Sequence, residues 1–158
     1  MRVGIGYDAH AFAAERKLIL GGVLIRDHDG LAGHSDADVI VHAIADALLG
    51  AAGLGDLGDF FPADEKWKDA SGFDLLKEVA ALLSQDGWVV GNIDATVIAE
   101  APRLAPHRDQ MRANIATALS LGREDVSIKA TTTDGVGFVG RGEGMAAVAV
   151  ASLRRARS

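Results

Sequence analysis

Asp8 and His10 lie two residues apart in the opening stretch MRVGIGYDAH, directly after Gly4 and Gly6. In an extended strand, side chains at i and i+2 point to the same face. Their Cα atoms then stand about 6–7 Å apart. A carboxylate oxygen and an imidazole nitrogen could therefore meet on one metal ion at about 2 Å. The same pair also suits a carboxylate that only orients a histidine. Whether the chain brings a third ligand decides between the two.

A second group sits in HSDADVIVHAIAD. His42 lies inside an apolar run, with Asp38 and Asp46 one helical turn before and after it on the same face. Asp46 is placed to take the second ring proton of His42, as carboxylates do behind metal-bound histidines. A packed core histidine is the plainer reading of the same pattern. His34 and Ser35 fall where the helix is expected to begin, a position at which free backbone N–H groups favour an anion. Ser35 suits a plain N-cap equally well. A third group, ATTTDGVGFVGRGEG at residues 130–144, offers threonine hydroxyls, close backbone approach at its glycines, and Asp134 as a cation ligand. Arg141 can pair with phosphate or with Glu143.

The elements that must position these groups follow from spacing. Residues 2–8 read as a strand, and 17–20 and 23–25 as a hairpin around Gly21-Gly22. Ser35 followed by Asp38 predicts a helix start, with the helix running to Leu49 and closed by Gly50 and Gly53. The polar stretch 55–67 is too long for a plain connector. A second helix starts at Ser71 and ends at Gly87. Residues 88–99 form a long strand, Pro102 and Pro106 break it, and a third helix runs to about Leu121. Strands at 126–130 and 145–153 complete one α/β layer arrangement with helices on one face of a mixed sheet. No repeat or linker divides residues 1–158, so a single domain is expected.

Composition narrows the function classes. A net charge of -6, with a basic run only at the end (LRRARS), disfavours broad contact with nucleic-acid phosphate. That ending reads as a solvated tail. The absence of cysteine leaves histidine and carboxylate as the metal ligands. No signal-like opening or membrane-length apolar run is present, so a cytoplasmic protein is expected.

Four stretches together resemble one family: GxGxDxHxF, then GHSDADVxxHAxxDALLGAAGLGDLGxxFP, then NIDATVIAEAPRLxPH, then KATTTDGVGFVGRGEG. They are similar, in order and across nearly the whole chain, to the 2-C-methyl-D-erythritol 2,4-cyclodiphosphate synthases of the non-mevalonate isoprenoid pathway. The resemblance implies a ferredoxin-like α+β sandwich assembling as a homotrimer, with each active site between subunits. It implies a lyase that closes a cyclic diphosphate and releases CMP. It assigns a zinc ion to Asp8, His10 and His42, and a magnesium or manganese ion bridging the substrate diphosphate to Asp134. It gives His34 and Thr132 to transition-state stabilisation. Substrate contacts are implied for Asp8, Ala9, His10, His34, Ser35, Asp56, Leu57, Gly58, Phe61, Thr133, Asp134, Phe138 and Arg141. The cytidine pocket is implied at Ala99, Pro102, Arg103, Leu104, Ala105, Ala130, Thr131 and Thr132.

The chain departs from that pattern at three places. Asp134 stands where the family usually has glutamate, Gly135-Val136 replaces a Lys-Leu pair, and Ala63 takes the place of an aspartate after Phe-Pro. Two other functions share some of these features. A metal-dependent phosphohydrolase would use the Asp-His-His site without needing the EAPRLAPH segment, and a nucleotide-sensing module would need no zinc.

Overall fold

A computed structural model describes residues 1–156. Its main sheet has five strands in the order β4 (Gly30–Leu31), β1 (Arg2–Ala13), β7 (Gly144–Arg155), β5 (Trp88–Ile98) and β6 (Val126–Thr131). The hairpin β2 (Leu18–Leu20) and β3 (Val23–Arg26) forms a separate two-stranded sheet. Neighbours in the main sheet are antiparallel except β5 and β6, which run parallel. Helix α1 (Val39–Ala52) lies on β1, β7 and β5, with α3 (Gly72–Gln85) beside it and α4 (Arg108–Leu119) packed against α3 and β6. Two single turns, α2 (Leu57–Phe60) and α5 (Gly137–Gly140), sit in the long loops. No helix among the described residues is long and apolar enough to cross a membrane. Of the basic ending read as a solvated tail, Arg157 and Ser158 lie outside the described residues.

The ferredoxin-like expectation is corrected. That fold runs β-α-β-β-α-β, whereas the four long strands here run β-α-β-α-β-β. The helix α4 is the crossover that a parallel pair such as β5–β6 requires. The mixed sheet with helices on one face stands.

Every residue of α1 except Asp46 and Gly50 is buried. A helix apolar all round belongs in the middle of a core. Ile40, Ile44, Leu48 and Leu49 are fully buried there, each contributing about 1.5–3 kcal/mol by leaving water. The opposite face of the sheet differs. Val3, Ile5 and Tyr7 of β1 and Val150 of β7 are exposed, with Ile5 beside Val150 in the register.

The start of α1 also differs from the sequence reading. The helix begins at Val39, and its N-cap is Asp38, not Ser35. Asp38 is wholly buried, and its carboxylate accepts from the backbone N–H of Gly21 (3.0 Å), Gly22 (2.8 Å) and Val41 (3.2 Å). One side chain thus caps the helix and holds the β2–β3 turn, where both glycines take positive φ. Burial pushes the carboxyl up to about 6, with the charge of Asp36 adding to it and the three N–H bonds opposing. Asp38→Ala strands those donors and is expected to cost about 3 kcal/mol in urea unfolding. The sign of the pH effect follows from the raised value. Asp38's contribution is complete below pH 3.8, the unfolded value, and is lost as pH rises through about 6. Asp38→Asn does not titrate there, so its stability relative to the parent chain should rise between about pH 4 and about pH 6 and level off above about pH 7. A pH-independent difference would contradict this.

Candidate active site

Gly4 and Gly6 face α1. A β-carbon built at Gly6 would lie 1.9 Å from the carbonyl oxygen of Ala43, and one at Gly4 2.0 Å from that of Ala47. The glycines let β1 lie directly against the helix backbone. Asp8 and His10 continue the same strand face, and the close approach carries them to His42 in the first turn of α1.

Three donor atoms converge there. Asp8 Oδ2 lies 2.8 Å from His10 Nε2 and 3.0 Å from His42 Nδ1. The two ring nitrogens are 3.3 Å apart. Ligand atoms of a tetrahedral zinc, each about 2.0–2.1 Å from the ion, stand about 3.3 Å from one another. The triangle therefore has the size of one face of such a site, and a carboxylate with two imidazoles suits zinc chemically. The far nitrogen of each ring is also held. His10 Nδ1–H donates to the carbonyl of Ala32 at 2.7 Å, which turns the Nε2 lone pair inward. His42 Nε2 lies 3.2 Å from Ser35 Oγ. Partners of this kind fix ligand histidines. Burial acts to raise the Asp8 carboxyl, but the interactions with the His10 and His42 rings, which count when those rings are protonated, outweigh it and hold it well below the ordinary carboxylate range. Burial acts to lower His42, and its bond to Asp8 reverses the sign and raises it.

Two expectations change here. Asp46 does not orient His42: its Oδ1 accepts from the backbone N–H of Leu57 at 2.7 Å, tying the α2 turn to α1. Ser35 takes the place beside His42 instead. Nor do His34 and Ser35 stand at a free helix N-terminus, because the Asp38 carboxylate already occupies it. They lie in the preceding loop, held by Arg16, whose guanidinium donates to the Ser35 carbonyl.

His10, His34, Ser35, His42, Leu57 and Phe61 line one cavity of about 180 Å³ together with Ala63, Trp67 and Leu75. The sequence reading missed Trp67, which meets Phe61 edge-on at 4.7 Å between ring centroids. A bulky aromatic in the long polar loop was the available signal. The loop is pinned over the cavity by His34, whose Nε2–H donates to the Asp64 carbonyl at 2.5 Å. Asp56 and Gly58 are exposed beside it, with Asp56 in a capping box at the start of α2. Ala9 points to the opposite face of β1 from Asp8 and His10.

A second cavity of about 260 Å³ lies past the ends of β5 and β6. It is lined by Ala99, Pro102, Arg103, Leu104, Ala105, Ala130, Thr131 and Thr132, together with Glu100 and Arg108. Parallel strands present such crevices at their carboxyl ends. In the loop that follows, Thr132 Oγ1 donates to Asp134 Oδ1 at 3.1 Å, and Asp134 takes a positive φ of 52°. Arg141 is paired bidentately with Glu143, at 2.7 and 3.1 Å, the structural alternative that the sequence left open. Phe138 on α5 is partly exposed. The two cavities lie at the same end of the sheet, but β1 and β6 are separated by β7 and β5, about 14 Å at normal strand spacing.

Comparison with known proteins agrees with this layout. A model of the YgbB family matches residues 1–154. The chain is 57% identical over 157 residues to the 2-C-methyl-D-erythritol 2,4-cyclodiphosphate synthase of Alkaliphilus oremlandii, covering 99% of this chain and 100% of that protein. The synthase of Salinibacter ruber matches at the same identity and coverage. Among solved structures, the bifunctional IspDF of Campylobacter jejuni superposes with a TM-score of 0.94 at 42% identity, over 98% of this chain and 42% of that one. The Plasmodium falciparum IspF–CDP complex superposes with a TM-score of 0.86 at 31% identity, over 99% of this chain and 97% of that one.

Proposed function

The chain belongs to the YgbB family, and on that footing we propose that it converts 4-diphosphocytidyl-2-C-methyl-D-erythritol 2-phosphate to 2-C-methyl-D-erythritol 2,4-cyclodiphosphate with release of CMP. The observation that carries the proposal is the Asp8–His10–His42 triangle, set in a chain that matches named synthases along its whole length. In the reaction an oxygen of the 2-phosphate attacks the β-phosphorus. The bond from that phosphorus to the bridging oxygen breaks, and CMP leaves with the electron pair. The nucleophile is already an anion, so no general base is required.

Asp8, His10 and His42 would hold zinc, leaving a fourth position open as catalytic sites do. When bound, zinc would polarise a phosphate oxygen and offset developing charge. The protein groups do the rest by placing charge and excluding water. Ser35 presents a hydroxyl at the cavity wall. His34 would exchange its bond to the Asp64 carbonyl for a phosphate oxygen. Phe61 and Trp67 shield the carbon skeleton from solvent. A magnesium or manganese ion needs only one or two carboxylates when substrate phosphates complete its shell, and exposed Asp134, braced by Thr132, can supply one. Asp134→Glu is expected to keep turnover within about threefold, since one methylene leaves the same charge on the same loop. A loss of a hundredfold in a CMP-release assay would contradict that placement.

The cavity past β5 and β6 would take the cytidine. A relative solved as a CDP complex superposes over 99% of this chain, which supports that assignment. We further propose a homotrimer in which each site joins the metal triangle of one subunit to the nucleotide cavity of its neighbour. The separation of the two cavities within one chain supports this, as does the exposed apolar face of Val3, Ile5, Tyr7 and Val150. CMP release measured before and after zinc chelation tests the proposal. Activity should vanish on chelation and return with zinc; unchanged release in the chelated protein would overturn the zinc assignment.

A further inference from the structure

Glu100 is the second residue past β5, between Ala99 and the segment that walls the nucleotide cavity. One of its oxygens, Oε1, accepts from Thr133 N–H at 2.9 Å and, more distantly, from Gly135 N–H at 3.5 Å; the Thr133 hydroxyl lies 3.0 Å from it and closer, 2.6 Å, to the Val136 carbonyl. These donors flank Asp134 on both sides. The backbone ladder between β5 and β6 ends just before this point, with Ala99 N–H donating to the Thr131 carbonyl at 3.0 Å. The carboxylate therefore continues a strand pairing that the backbone has stopped making.

The segment it holds needs an external restraint. Asp134 and Gly135 both take positive φ. Thr132, Asp134 and Gly135 are exposed, and the backbone of Gly135 lies against Gly140 of α5, not against β5. The Thr132–Asp134 bond fixes those two side chains to each other. The Thr133–Val136 turn closes the loop on itself, with Val136 N–H donating to the Thr133 carbonyl at 3.0 Å. Neither bond reaches β5, so neither sets the loop against the nucleotide cavity. The Thr133 N–H bond is also the main cause that draws the Glu100 carboxyl below its ordinary value.

We propose that Glu100 is a positioning residue that holds the Thr132–Asp134 loop in register with the nucleotide cavity, so that base recognition and phosphate handling are set by one side chain. The inference rests on the synthase reading above. It assigns Glu100 the role of hydrogen-bond acceptor, not of a charge acting on substrate or cation. A glutamine keeps the acceptor oxygen and loses the charge, which separates the two roles.

The test combines turnover with hydrogen exchange in the full-length chain, across the parent, Glu100→Ala and Glu100→Gln. Glu100→Ala should speed amide exchange in residues 131–136 and lower kcat about 10–100-fold, the size expected for a displacement of about 1 Å, with a smaller change in KM. Glu100→Gln should restore slow exchange and bring kcat within about threefold of the parent. Faster exchange in Glu100→Ala with kcat and KM unchanged would overturn the positioning role. A Glu100→Gln variant with slow exchange but the kcat of Glu100→Ala would overturn the acceptor assignment in favour of a direct charge effect. Exchange unaltered in Glu100→Ala would show that Glu100 does not hold the loop. A parent chain that turns over no substrate would instead defeat the synthase reading, while exchange still decides whether Glu100 restrains the loop.

Discussion

His42→Ala is expected to lose bound zinc and about 10³-fold or more of turnover while remaining folded. The metal triangle has only three protein atoms, and His42 Nδ1 closes two of its sides at 3.0 and 3.3 Å. Removing it leaves Asp8 and His10 on one strand, a bidentate pair with no reason to prefer zinc over water. Lewis-acid stabilisation is worth several kcal/mol, and each 1.36 kcal/mol is a factor of ten in rate. The fold should survive because the apolar residues of α1 remain buried around the site. The check is metal content by elemental analysis beside far-ultraviolet circular dichroism and CMP release. Stoichiometric zinc with undiminished turnover in the variant would falsify the assignment of His42 as a ligand.

The second large effect concerns a residue with no chemistry of its own. Gly6→Ala is expected to destabilise the chain by about 3 kcal/mol or more, or to prevent folding. The new methyl would stand 1.9 Å from the Ala43 carbonyl oxygen and 2.7 Å from the Ala47 nitrogen. Both are backbone atoms of a buried helix, so α1 would have to move away from β1. That movement also opens the metal triangle, because His42 rides on α1 while Asp8 and His10 ride on β1. Gly50→Ala supplies the comparison. Gly50 lies in the same helix with open space at its β-carbon position, so alanine there should be neutral or stabilising by up to about 1 kcal/mol. Urea midpoints for the two variants decide it. Equal stability for both would contradict the close-approach account.

These two residues show what can be read from the sequence. The period of two put Asp8 and His10 on one strand face, and helical spacing put His42 in an apolar run; both are local regularities. Gly4 and Gly6 were visible as glycines, but that their missing side chains admit α1 depends on a contact about forty residues away. The ferredoxin-like expectation failed for another reason: it came with the resemblance, whereas the element order read from local patterning, with a helix between the strands at 88–99 and 126–130, is the one observed. The N-cap of α1 went to Asp38 because the distant Gly21-Gly22 turn needs the same carboxylate. Asp46 was read as the partner of His42 from its place one turn on, yet the Leu57 N–H, brought in by the α2 loop, takes it. Trp67 and Glu100 sit in or beside loops, where neither periodicity nor spacing indicates what a side chain will touch.

The most direct test of the whole account is phosphorus NMR of the purified chain mixed with 4-diphosphocytidyl-2-C-methyl-D-erythritol 2-phosphate, zinc and magnesium. The account predicts CMP appearing in step with two mutually coupled phosphorus signals from one ring. CMP accompanied by an open-chain product would contradict it and identify a hydrolase, and an unchanged substrate spectrum with zinc bound would contradict it as well.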